Sequence, residues 1–165
     1  MFSNRIKKGD VIFAVRAYGT YLHYGVYVGG NNVIHFATEN PSDYNFFHAK
    51  IIKTSLEVFA DGADAYIEKE RKGAKPSAYT VKCAKSHLGT GLGTYNLLLN
   101  NCEHFANMCK YGKRESNQIS KLVLKFGLAN VVPGPLLGTA LLFVIEQFVY
   151  NKIIKKEGYQ KVFID

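Results

Sequence analysis

Residues 20–38, TYLHYGVYVGGNNVIHFAT, form two β-rich runs around Gly29-Gly30-Asn31-Asn32. Glycine and asparagine tolerate positive φ, so this cluster between runs of Val, Ile, Tyr and Phe predicts a hairpin. A hairpin commits the first third of the chain to antiparallel pairing. Each run also carries a histidine, His23 and His35, a residue not selected for strand propensity. Register decides whether the two rings share a face. Pairing Tyr27 with His35 leaves the three-residue loop Gly30-Asn31-Asn32 and puts both rings on one face, on adjacent strands. A two- or four-residue loop would separate them unless a bulge intervenes. The expectation is one shared face.

The flanking sequence extends the sheet. DVIFAVRA, with Val11, Ile12, Phe13, Ala14 and Val15, reads as a well-buried strand. Residues 39–48 read as a loop. AKIIKTSLEVFADG, from Ala49, reads as a strand with an exit loop. EKERKGAKPSAYT, charged and broken by Gly73 and Pro76, begins as surface loop. From Ser77 to Leu88, apolar residues recur at helical spacing, and Gly89, Gly91 and Gly93 end the pattern. There is no internal repeat.

LLLNNCEHFANMCKYG, residues 97–112, holds two of the three cysteines. Asn101 suits an N-cap. Cys102, Phe105, Ala106 and Cys109 fall at i, i+3, i+4 and i+7, one apolar helical stripe closed by Gly112. Cys102 thus starts a helix. There the dipole favours a thiolate, and the free backbone N–H groups can receive an oxyanion. Cys109 lies mid-helix and Cys83 inside the preceding helical pattern, so Cys102 is the candidate nucleophile. Of five histidines, His104 lies two residues on and points about 200° away around a helix, which makes it a surface or supporting residue rather than the base. His48 and His87 sit in or beside loops. His23 and His35 on one sheet face fit better: a base held and oriented by a second polar ring. A zinc site from Cys83, His87, Cys102 and His104 would need a Cys-x-His pair at a helix start, which is not a standard zinc spacing. GTGLGTY lacks the lysine of a phosphate loop, and no Gly-x-Ser-x-Gly elbow occurs. No metal and no cofactor are expected.

Ser116 can cap a further helix. Beyond it the chain changes character: VVPGPLLGTALLFVIEQFVYNKIIKK is apolar to Tyr150 and then basic. A span needs ~20 apolar residues. Pro133, Gly134 and Pro135 interrupt the run near its start, and Glu146 and Gln147 lie near its end. The expectation is an apolar C-terminal helix with a basic flank that associates with a membrane, lying on it or crossing at a tilt. The alternative is a terminal helix docked on the domain's own core. The net charge of +8 fits an anionic surface, and with no Arg-rich block or recognition motif it does not point to nucleic acid. An odd cysteine count and the lack of a secretion signal place the chain in a reducing, cytoplasmic setting. Nothing in the sequence sets an oligomeric state.

LHYGVYVGGNNVIHFA and NNCEHFAN resemble the H-box and NC motif of the lecithin:retinol acyltransferase-like family. The likeness covers roughly residues 5 to 125 and includes Gly9-Asp10 before the first strand and Lys110-Tyr111-Gly112 after the cysteine. Within the family the chain looks most like the small phospholipase A/acyltransferases. The resemblance implies an α+β fold, a circularly permuted papain-like (NlpC-type) domain with an antiparallel sheet packed on the cysteine-bearing helix. It implies Cys102 as nucleophile, His23 as base and later acid, and His35 as the residue that orients His23. The implied reaction cleaves a glycerophospholipid ester through a thioester and passes the acyl group to water, an amine or a lysolipid. Residues 1–125 would form the catalytic domain and 126–165 the membrane-associating segment. A cysteine peptidase or amidase on the same fold, and a non-enzymatic membrane-associated regulator, are the competing readings.

Overall fold

A computed structural model describes residues 6–16, 21–38, 49–91, 102–113 and 159–162. The strands are β1 (Val11–Arg16), β2 (Tyr21–Gly29), β3 (Asn32–Ala37), β4 (Lys50–Ser55), β5 (Ala65–Ile67) and β6 (Gln160–Val162), and the helices α1 (Leu56–Ala60), α2 (Ser77–Ser86) and α3 (Cys102–Tyr111). They form one six-stranded sheet in the order β4-β3-β2-β1-β5-β6, with every pairing antiparallel. The class is α+β.

The hairpin forms with a different register from the one expected. Gly25, not Tyr27, lies opposite His35, and Tyr27 lies opposite Val33. The ladder then shifts between Tyr27 and Gly29, and Gly29 pairs with Asn32 around a tight Gly30-Asn31 turn. Both turn residues have positive φ, 60° and 58°, the conformation that matches the twist of a hairpin. A two-residue turn alone would have separated the histidines. The bulge restores parity, so the register slips by two and the shared face survives.

The sheet has two distinct faces. Val11, Phe13, Leu22, Tyr24, Val26, Ile34 and Phe36 pack with Phe105, Ala106 and Cys109 of α3 and Ala84 of α2. Ile12, Ala14, Val33 and Ala65 alternate to the other side and pack with Leu56, Phe59 and Ala60 of α1. Period-two alternation in β1–β3 therefore feeds two separate cores. α2 and α3 fall where the apolar spacing predicts. Gly112, at φ 73°, closes α3 by donating its N–H to Met108 O at 2.9 Å. Gly9, at φ 87°, passes so close to α2 that a Cβ there would lie 2.7 Å from Ser77 Cα. That contact gives the Gly9-Asp10 pair a structural reason.

Two features depart from the sequence reading, while the charged stretch after β5 is surface loop as expected. The exit from β4 is not a loop but α1, capped by Ser55, whose Oγ accepts from Val58 N–H at 3.2 Å. The charged stretch after β5 is fastened over α3: Arg71 donates to Asn107 Oδ1 at 2.8 Å and stacks on the Tyr111 ring, and buried Lys110 pairs with Glu70 at 2.7 Å. Residues 160–162, inside the segment assigned to the tail, pair with β5 as an edge strand. Val162 is buried there, Tyr159 packs edge-on against Phe13 at 5.1 Å, and Lys161 pairs with Asp64 at 2.6 Å. The apolar stretch, the Ser116 helix, the 39–48 loop and Asn101 lie outside the described residues. Among the described residues no helix is long and apolar enough to cross a membrane.

Candidate active site

His23 and His35 meet directly. His23 Nε2 lies 2.8 Å from His35 Nδ1, with the rings at right angles and their centroids 4.9 Å apart. Both are buried, on the α1 side of the sheet, because they alternate with Leu22, Tyr24, Ile34 and Phe36. Phe59 of α1 is the floor under the pair, 5.1 Å from the His23 ring and 5.2 Å from the His35 ring. Gly25 makes room for it. A Cβ at that position would fall 2.6 Å from Val33 Cγ1 and 2.9 Å from Phe59 Cε2. The glycine two residues after His23 thus admits the aromatic ring that seats both imidazoles. On its far side His35 Nε2 lies 2.9 Å from Thr54 Oγ1, and that hydroxyl donates to Ser55 O at 3.2 Å.

Cys102 is the first residue of α3, as the spacing predicts, and is buried. Its thiol donates to Leu22 O at 3.8 Å, one residue before His23. The β2–β3 ladder runs from Gly25 opposite His35 to Gly29 opposite Asn32, and Leu22 lies before it along β2. The sulfur lies beside this part of the strand. It comes from the α3 side, while the imidazoles stand on the α1 side. Sequence reasoning placed the two histidines on one face and packed the cysteine helix over the sheet, without saying on which side. Alternation shows which residues share a face, but it does not show which face a distant helix will cover.

Burial pushes the Cys102 thiol up from 9.0 to about 11. The Tyr24 N–H pulls the other way, the Glu103 carboxylate adds to the rise, and the N–H groups of Glu103 and Cys102 oppose it. Three backbone donors therefore surround the sulfur. Glu103 and His104 are both buried, so His104 is not a surface residue. Tyr24, beside the thiol, is held protonated well above its usual range by burial and then by Glu68 and Glu103. Cys109 is pushed up by burial and by the neighbouring Cys83 thiol, a poor setting for a nucleophile. All three cysteines are free, and no metal-binding cluster occurs among the described residues. Thr54, Phe59 and Gly25 escaped the sequence reading. Nothing in the sequence pointed to Thr54, since its nearness to His35 depends on the β3–β4 register.

The lecithin retinol acyltransferase family profile matches residues 4–115. The chain belongs to the lecithin retinol acyltransferase family. It is 32% identical over 138 residues to the mouse lecithin retinol acyltransferase, covering 69% of this chain and 58% of the relative. Human phospholipase A and acyltransferase 2 is 32% identical over 137 residues, with 76% of this chain and 83% of the relative covered. The Arabidopsis thaliana protein LEAD-SENSITIVE 1 is 30% identical over 159 residues, with 67% and 61% covered. The chain thus spans less than two thirds of the mouse and rat acyltransferases it matches, 58% and 60%. The matched span contains the paired histidines and the cysteine at the start of α3.

Proposed function

We propose that the chain is a thiol-dependent phospholipase A/acyltransferase, with Cys102 as nucleophile, His23 as base and His35 as the residue that orients it. One observation carries the reading: a helix-starting cysteine lies against the backbone that flanks a histidine already hydrogen-bonded to a second histidine. Relatives named lecithin retinol acyltransferase and phospholipase A and acyltransferase 2 supply the reaction class.

The resting thiol is protonated. At a pKa of about 11, roughly one sulfur in ten thousand is ionised at neutral pH without help. The reaction therefore begins with a rotation of Sγ away from Leu22 O, so that His23 takes its proton. The sulfur then attacks the ester carbonyl carbon of a glycerophospholipid. The N–H groups of Cys102 and Glu103 receive the oxyanion. Collapse breaks the C–O bond, and His23-H⁺ returns the proton to the departing lysophospholipid oxygen. A thioester remains on Cys102. Water, an amine or a lysolipid hydroxyl gives its proton to His23 and attacks the thioester carbonyl; the C–S bond breaks, the acyl product leaves, and His23-H⁺ returns the proton to the sulfur.

The fold, with a cysteine opening a helix that packs on an antiparallel sheet, is consistent with a circularly permuted papain-like domain. In this reading residues up to about 125 are catalytic, and the apolar segment that follows brings the enzyme to the bilayer that holds its substrate. Tyr159 to Val162 return to the sheet, so the membrane-associating part ends before them.

A second reading, a non-enzymatic membrane-associated regulator, draws on the parked thiol: Sγ donates to a carbonyl rather than to an imidazole. One experiment separates the two. The chain is incubated with acyl-labelled phosphatidylcholine vesicles and examined by mass spectrometry. An acyl-thioester on Cys102, absent from Cys102→Ser, with labelled fatty acid released, is the expected result. No adduct and identical traces for both proteins would overturn the lipid-enzyme reading.

A further inference from the structure

We propose that Thr54 is a positioning residue: its hydroxyl sets the direction of the hydrogen-bonded pair His23–His35, so that His23 presents Nδ1 as its basic nitrogen. The inference rests on the function proposed above for its consequence in catalysis, but the protonation pattern itself can be read without any substrate.

The argument follows one proton at a time. A threonine hydroxyl has a single hydrogen to donate and lone pairs that accept. Thr54 Oγ1 donates to Ser55 O at 3.2 Å. Its contact with His35 Nε2 at 2.9 Å must then be one in which the ring nitrogen donates. A neutral imidazole carries one hydrogen, so His35 Nδ1 is left as an acceptor. His23 Nε2, 2.8 Å away, supplies the hydrogen. Neutral His23 therefore has its hydrogen on Nε2 and its lone pair on Nδ1. If Thr54 donated to His35 instead, every bond in the chain would reverse. His35 Nδ1 would then donate to His23 Nε2, and Nδ1 of His23 would carry the hydrogen. The geometry of the rings permits both directions, and the threonine's donation to Ser55 O selects one.

The backbone holds Thr54 in place for this task. His35 pairs with Ile52, so Thr54 is the diagonal neighbour of His35 on the same face of β4. The next residue, Ser55, caps α1, and α1 carries Phe59 under both rings. The carbonyl that fixes the direction and the aromatic floor belong to one short segment. When His23 accepts a proton on Nδ1, its Nε2–H still points at a lone pair of His35, so the imidazolium forms without breaking the chain of hydrogen bonds.

The test is nitrogen-15 NMR of the full chain with labelled histidine, combined with steady-state kinetics on dispersed short-chain phosphatidylcholine. In the parent protein we expect both rings to carry hydrogen on Nε2. Finding His23 with its hydrogen on Nδ1 overturns the proposal without any variant. Thr54→Val removes the acceptor while keeping the shape. It should raise the share of Nδ1–H on His23 and lower kcat by about 10- to 100-fold, the scale on which metal-ligating histidines lose function without their hydrogen-bond partners. KM should stay near the parent value. Thr54→Ser, which keeps the hydroxyl, should restore both the tautomer and kcat. A Thr54→Val protein with parental tautomers and kcat would overturn the proposal, as would a folded Thr54→Ser that fails to restore them. Should Thr54→Val not fold, the parent and Thr54→Ser spectra decide. Should the parent show no turnover, the tautomers still decide this point, and only the enzyme reading falls.

Discussion

The two faces of the sheet differ in kind. The α3 face is a large apolar core built around Phe13, Tyr24, Phe36 and Phe105, and burial within it raises the pKa of the Cys102 thiol, the proposed nucleophile. The α1 face is smaller, and there a polar chain runs from His23 through His35 to Thr54 over a single aromatic ring. A dry face suits a neutral thiol and opposes a thiolate. A face with three linked polar side chains can hold a proton and pass it on. The proposed reaction draws on both, and Cys102 reaches β2 at Leu22, the residue before His23.

Phe59→Ala is the hardest test of the α1 face. The side chain is fully buried and touches both imidazoles. Removing such a ring from a core costs about 3–5 kcal/mol through lost burial and the cavity left behind. Chemical denaturation should show a loss in that range, with broadened His23 and His35 resonances. A cost under about 1 kcal/mol would mean that this face is not a core at all, and the contrast drawn above would collapse.

The dry character of the α3 face has a pH signature. The Cys102 thiol titrates at about 11 in the folded chain against 9.0 in the open one. A raised pKa means that folding favours the neutral thiol. Its contribution is complete below pH 9 and is lost as pH rises towards 11, because the unfolded state releases the proton first. Two units correspond to roughly 2–3 kcal/mol. The stability of the parent minus that of Cys102→Ala should therefore fall by that amount between those pH values. A flat difference would show that folding leaves the thiol unshifted, and one that grows would show that the folded protein already holds the sulfur as a thiolate.

How far the sequence revealed this division depends on the residue. The shared face of His23 and His35 was legible because strand period is two and glycine and asparagine mark the turn. The register was not, because a bulge between Tyr27 and Gly29 leaves no trace in a pattern of Val and Tyr. Helix α3 was legible from the stripe that runs from Cys102 to Cys109. Its side of the sheet was not, since that depends on where a chain nearly eighty residues away returns. β5 and β6 have three residues each, too few for any periodicity, and β6 lies in a stretch whose composition suggests a tail. Thr54 has no motif. Its role comes from a diagonal contact and a neighbouring carbonyl, neither of which is a property of sequence spacing.

Gly25→Ala sharpens the comparison with the smallest change. The backbone there is ordinary strand, so the cost comes from space alone. A Cβ would meet Val33 Cγ1 at 2.6 Å, Phe59 Cε2 at 2.9 Å and His35 Cβ at 3.2 Å, all on the α1 face. Overfilling a packed core by one methyl costs about 1–3 kcal/mol, the lower end if Phe59 can slide. If it slides, the imidazole floor moves with it, and the effect on turnover should exceed the effect on stability. The α3 face offers the control: Cys102 touches none of these atoms, so its alkylation rate in the variant should match the parent's. Should the alkylation rate rise instead, the two faces are mechanically coupled through β2, and the thiol responds to packing on the side it does not touch.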